Sequence, residues 1–231
     1  MRHKTLSSTI DGREVLFFVE PGAEVLLVQP VDSHDLEEMP SEVEYIETNA
    51  TKPFVLVAVK IKRWNDELTP WPSPPVFGKI PFGSGAETTL HFIEKIVDGI
   101  RNGSCGLPVA DLSPAAVFLG GYSLAGLFAL WAAYNSENLD GIVAASPSVW
   151  YKDWLDFSRS HSCHTPKVYL SLGDKESHSK NKLMATVADA IAVQKTILDN
   201  QGVVSTMVWN PGNHFTDNGV RTAKGFVWLM E

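Results

Sequence analysis

Four short apolar runs restrict this chain more than any other feature. Residues 54–61 (FVLVAVKI), 115–120 (AAVFLG), 141–145 (GIVAA) and 167–172 (KVYLSL) are almost free of polar positions. Runs of that length without alternation suit strands covered on both faces. Stretches of helical period separate them. Leu90, Ile93, Val97 and Ile100 recur at three- and four-residue steps, and Gly103 and Pro108 stand beyond as stop signals. Leu183, Val187, Ile191, Gln194 and Leu198 form a second stripe with one polar lapse. Residues 126–134 and 219–230 read as two more helices, and 13–20, 24–30 and 203–209 as further strands. Strand and helix in alternation imply parallel strands joined by crossovers. The expected fold is α/β: a doubly wound, mostly parallel sheet with helices on both faces.

No repeat and no interdomain linker interrupts the pattern, so a single domain over 1–231 is expected. The 231 residues, 44% of them apolar, are enough to bury a core without staples. The net charge of −8 argues against nucleic acid or an anionic membrane as partner. Cys105 and Cys163 lack CxxC spacing, which excludes a disulfide scaffold and a zinc finger; both read as inert thiols. The start is polar and no window reaches 18 apolar residues, so a cytoplasmic chain is expected, although a removed signal would leave the same picture. Nothing in the residues reports an oligomeric state.

In doubly wound sheets, ligands sit beyond the carboxyl ends of the strands. The sharpest signal lies there. The run 115–120 leads into Gly121-Tyr122-Ser123-Leu124-Ala125, a G-x-S-x-G pattern with Ala in the last place. A strand-to-helix turn this tight needs small residues two before and two after the serine, and it projects the hydroxyl at a helix N-terminus. A chance match capping a helix would look the same locally; the strand before and the helix after favour a nucleophile. Such a serine needs a base. Of seven histidines, His214 alone follows the last strand, in the loop Asn210-Pro211-Gly212-Asn213-His214. His178 is the one rival. His3, His91, His161 and His164 sit at the terminus, in a helix or in a polar stretch.

The orienting acid should follow the strand 167–172, where Asp174 and Glu176 both stand. Spacing leaves the two open. Backbone donors for an oxyanion are expected at Leu124, directly after the serine, and near Trp64 in the loop after 54–61. Trp71, Trp150 and Tyr151 cluster at the same strand ends, and Tyr122 adjoins the serine. These are the candidate substrate contacts, with walls suited to an acyl or aryl group; core packing, or a loop pinned onto the sheet, would call for the same residues. The Pro-, Trp- and Gly-rich segment 62–85 is the sole candidate cover; no room exists for a large cap domain. Asp32-Ser33-His34-Asp35 imitates a metal cluster but reads as a turn with a helix cap, so no metal and no cofactor are expected.

Together GGYSLAGLFALWAAY (120–134), ASPSVWY (145–151), YLSLGDKE (169–176) and PGNHF (211–215) resemble the esterase family of α/β-hydrolases. That family includes the esterase D-like enzymes and the enterobactin-type siderophore esterases. The segments VQPVDSHDLEE (28–38) and WNDELTPWP (64–72) are similar to those of small bacterial esterases. The resemblance implies an α/β-hydrolase fold and a serine carboxylic-ester hydrolase acting through an acyl-enzyme on a small-molecule ester. It also favours Glu176, because relatives commonly place the acid three after a strand-end glycine, here Gly173. A Ser-His dyad is the variant some siderophore esterases use. The other readings are an acyltransferase or thioesterase on the same fold, and a binding module without activity.

Overall fold

The computed structural model describes residues 3–76, 78–103 and 116–231. Its strands are β1 (Lys4–Ile10), β2 (Arg13–Val19), β3 (Val25–Val31), β4 (Phe54–Lys60), β5 (Ala116–Tyr122), β6 (Gly141–Ala145), β7 (Lys167–Gly173) and β8 (Val204–Asn210). They form one sheet in the order β1-β2-β4-β3-β5-β6-β7-β8. The pairs β1/β2 and β2/β4 are antiparallel; every later pair is parallel. All six parallel strands therefore present their carboxyl ends along the same edge. The expected mostly parallel sheet is present.

Helices cover both faces. On one lie α1 (Ser33–Asn49) and α7 (Asn218–Leu229), whose Met39, Val43, Ile46, Phe226 and Leu229 pack on Leu27, Leu56 and Val143. On the other lie α3 (Ala86–Asn102), α4 (Leu124–Ala132) and α6 (Val187–Asn200), packed on Val57, Val117, Leu119 and Leu170. The short α2 (Trp64–Glu67) and α5 (Trp154–Ser160) sit in the connections after β4 and β6. Burial on both faces explains why the central strands carry no polar alternation.

The polar lapse at Gln194 has a physical reason. Trp154 is fully buried, and its indole N–H donates to Gln194 Oε1 at 2.8 Å, while the Gln194 amide donates to the Tyr134 hydroxyl. A buried indole needs an acceptor, and the amide supplies one. Asp32 caps α1 as expected: it accepts from the N–H groups of His34 and Asp35, and Asp35 accepts from the Asp32 N–H. Gly103 closes α3 in the left-handed region at φ 59°. Pro108, Cys105 and Ala115 lie outside the described residues. Cys163 is a free, half-buried thiol whose pKa burial pushes up.

Several elements escape the periodicity, among them α1, marked in the sequence only by its cap at Asp32, and the four-residue α2. The polar start forms β1, an edge strand whose residues alternate between exposed and half-buried, joined to β2 by Asp11-Gly12 with φ 49° and 77°. Positive φ at both positions marks a primed hairpin turn, so Asp-Gly was the available signal. A further one is α5, seven residues long and too short to show a stripe. No helix among the described residues is long and apolar enough to cross a membrane.

Candidate active site

At the end of β5 the chain turns into α4 through Ser123, at φ 57° and ψ −116°. A non-glycine residue held there stores roughly 1–3 kcal/mol of strain. Its surroundings hold it in place. The Ser123 N–H donates to Ala145 O at 3.0 Å, and the Ser123 carbonyl accepts from Ser148 N–H at 3.0 Å. The turn closes because Gly121 has no side chain: a Cβ there would lie 2.6 Å from the carbonyl carbon and the Cβ of Ala125. The same contact explains how Ala replaces glycine at 125. Its methyl occupies the space that Gly121 leaves empty.

The Ser123 hydroxyl lies 2.9 Å from His214 Nε2. On the far side of the ring, His214 Nδ1 lies 2.7 Å from Glu176 Oε2. A carboxylate can only accept, so Nδ1 carries the proton and Nε2 is left to accept from the serine. Glu176 is buried and well supplied with donors. Its Oε1 accepts from the Ser146 hydroxyl at 2.6 Å, the Gly173 N–H at 2.7 Å and the Arg221 guanidinium at 3.2 Å. Burial pushes the carboxyl up, but the hydrogen bonds from His214, Ser146 and Gly173 and the nearby His214 charge outweigh it. The pKa falls below the usual glutamate value. Gly173 is required by close approach: a Cβ would meet Gly212 O at 2.5 Å and Glu176 Oε1 at 2.9 Å.

Asp174, the other candidate acid, is exposed and does not touch the imidazole. It accepts from the Gly212 N–H at 2.8 Å and so braces the loop that carries His214. The reason is directional. After β7 the chain turns outward at Asp174, and a short 3₁₀ turn, Glu176–His178, brings the next acid inward. His178 is exposed.

A cleft of about 550 Å³ opens over the serine, lined by Ser123, Leu124, Tyr122, Trp64, Phe82, Trp150, His214 and Phe215. Leu124 is the first helical residue, so its N–H has no carbonyl one turn back and is free to face the cleft. A second cleft of about 360 Å³ shares Trp150, Met184, His214 and Phe215 and extends past Glu176 and His178. The two meet at the imidazole.

The aromatic candidates divide. Trp150 and Tyr122 line the cleft beside Ser123. The Tyr122 hydroxyl donates to the His214 carbonyl at 2.9 Å, and burial raises its pKa, so it stays a neutral donor. Trp71 and Tyr151 do not line that cleft. They hold each other: Tyr151 OH donates to Trp71 O, Trp71 N–H donates to Lys152 O at 2.9 Å, and the two rings lie 6.0 Å apart. This clasp pins the segment after β4 onto the connection after β6. From the same segment Trp64 and Phe82 reach the cleft; Phe82, like Phe215 beside His214, is an aromatic that sequence reasoning missed. Ser146 and Arg221 were missed too. Arg221 lies in no motif; Ser146, at φ 45° directly after β6, lies in the segment ASPSVWY (145–151) but had no role assigned to it.

This sheet order, the crossovers and the strained serine turn define an α/β-hydrolase fold. Among solved structures the chain is similar to the siderophore hydrolase EstA from Aspergillus nidulans, with a TM-score of 0.72 and 18% identity over 99% of this chain and 94% of that one. It is similar to an IroE-like serine hydrolase from Shewanella oneidensis, with a TM-score of 0.76 and 15% identity over 99% and 80%. A third likeness is to the enterobactin and salmochelin hydrolase IroE, with a TM-score of 0.65 and 17% identity over 100% and 94%. At these identities the likeness is one of fold. No protein-family profile matches the chain, and no curated protein matches it by sequence.

Proposed function

We propose that the protein is a serine carboxylic-ester hydrolase working through Ser123, His214 and Glu176. The observation that carries this reading is the unbroken hydrogen-bonded line from Ser123 Oγ through both imidazole nitrogens to Glu176. His214 Nε2 takes the serine proton as Oγ attacks the ester carbonyl. The tetrahedral oxyanion is held by the Leu124 N–H and a backbone donor near Trp64. Collapse expels the alcohol, which receives the proton from His214, and leaves an acyl-Ser123. Water, deprotonated by the same histidine, then releases the acid. Glu176 keeps the tautomer and stabilises the imidazolium; the mechanism needs no cofactor. The two clefts meeting at His214 suit the two halves of an ester, and the walls formed by Trp64, Phe82, Trp150 and Phe215 suit a small or aryl acyl group. Names of similar folds add siderophore esters to the panel worth assaying. One sheet carries every proposed group, which supports reading residues 1–231 as a single domain.

The test is hydrolysis of short-chain and aryl p-nitrophenyl esters by the wild type and Ser123→Ala, with fluorophosphonate labelling of both. The expected result is labelling at Ser123 and a loss of about 10⁴-fold or more in kcat in the variant. Equal rates would overturn the proposal. Acyl transfer to an added alcohol or thiol in preference to water would redirect it to a transferase or thioesterase.

A further inference from the structure

Among the described residues, Arg221 is the cation sealed beneath this site. It sits in the first turn of α7 and is 1% exposed. Its Nη1 lies 3.2 Å from Glu176 Oε1, 3.1 Å from the Tyr122 hydroxyl and 3.4 Å from Ser146 Oγ. Its Nη2 donates to Pro211 O at 2.8 Å. These contacts reach the end of β5, the turns after β6 and β7, and the loop after β8. Tyr122 in turn donates to the His214 carbonyl.

We propose that Arg221 is the positioning residue of this site, clamping the Glu176 carboxylate and the His214 loop in one register and partly neutralising the carboxylate that faces the imidazole. The inference rests on the esterase reading above and deepens it. Geometry carries it. Glu176 uses one oxygen for His214 and the other for the Arg221–Ser146–Gly173 cluster, so the carboxyl plane cannot rotate without losing donors. Only a planar fork can serve the carboxylate with one nitrogen and the Pro211 carbonyl with the other; an ammonium offers a point charge. The charge matters separately. The ionisable groups in contact with the Glu176 carboxylate and the His214 loop are Arg221 from α7 and Tyr122 from β5; Asp32, His34 and Asp35, at the start of α1, line the cleft over Ser123 and His214. Lys175 and His178, on the Glu176 turn, line the adjoining cleft, and Asp174 braces the His214 loop. Removing the guanidinium leaves the carboxylate less balanced, so it favours a protonated imidazole, the form unable to accept the serine proton.

The experiment compares the wild type, Arg221→Met, Arg221→Lys and Ser146→Ala by pH profiles of kcat/KM and by kcat and KM at the optimum. Rates are normalised to the active fraction titrated with a fluorophosphonate. Arg221→Met should shift the acidic limb to higher pH by roughly one unit. It should also lower kcat by about ten-fold or more, short of the ~10⁴-fold expected from loss of the acid function itself. Arg221→Lys should keep the limb near its wild-type position while lowering kcat at unchanged KM, because charge remains and the fork is lost. Ser146→Ala, which removes a donor to the same oxygen, should shift the limb in the direction of Arg221→Met. If Arg221→Met yields no folded protein, the lysine and Ser146 variants decide. A structural role alone predicts losses confined to the active fraction with every limb unmoved, and that outcome overturns the inference. An inactive wild type instead defeats the esterase reading, so the two failures are distinct.

Discussion

Glu176 and Asp174 are two positions apart and do opposite things. One is buried against the imidazole, the other exposed on the outer side of the loop. Glu176→Gln should therefore lower kcat by roughly 10³–10⁴-fold, since an amide offers His214 the wrong choice of tautomer. Asp174→Asn should cost less than about ten-fold, through a looser His214 loop. Steady-state rates of the two variants on one p-nitrophenyl ester check both. The meeting of Ser123 with His214 was legible because each follows a strand end, and the fold dictates that order; between Asp174 and Glu176 the spacing left both open, and only the resemblance favoured Glu176. Arg221 was not. A buried arginine within an amphipathic helix looks like any surface charge until the helix is docked. Ser146 was hidden in a segment noticed for its proline and tryptophan.

Among the elements, the serine turn and the pinned segment carry the most consequence. Gly121→Ala would drive a methyl into Ala125, so activity and thermal stability should fall together. Ala125→Gly should keep the turn and most of the activity, because Gly121 already provides the clearance. Melting curves and rates on the pair test this. Trp71→Ala removes the indole clasp onto Lys152 O. It should raise KM more than it lowers kcat and expose residues 62–85 to limited proteolysis; an unchanged cleavage pattern would contradict it. Sequence reasoning put Trp71 and Tyr151 among the candidate substrate contacts, with core packing or the pinning of a loop as the alternative. An aromatic that pins a loop and one that lines a cleft have the same composition, and only the partner distinguishes them. Buried strands were readable from continuous apolarity, whereas β1 was not, since an edge strand facing solvent has no apolar run to show.

Across the whole molecule, buried carboxyls set opposing pH dependences. Glu176 is held below its usual pKa, first against the cost of burial. Its contribution to stability is present above the ordinary carboxyl range and is lost as pH falls through its folded value. Glu42 and Asp35 of α1 run the other way. Burial, followed by the neighbouring Asp35, pushes Glu42 well up; burial, followed by Asp32, lifts Asp35 to about 6. The folded state then holds more protons than the unfolded one, so stability declines as pH rises from the ordinary range through those values. Glu42 and Gln29 each leave one buried side-chain oxygen without a partner, which adds to the strain when Glu42 ionises. Glu42→Gln, an isostere of the protonated acid, should shrink the drop in melting temperature between pH 5 and pH 8. An undiminished drop would assign that decline elsewhere.

The order of the serine turn before α7 along the chain has a consequence during synthesis. Residue 123 leaves the ribosome nearly a hundred residues before Arg221 does. On the proposed roles, a nascent chain halted between them would present a serine lacking its partner base or its clamp. On that reading, hydrolytic competence would wait until translation had passed α7.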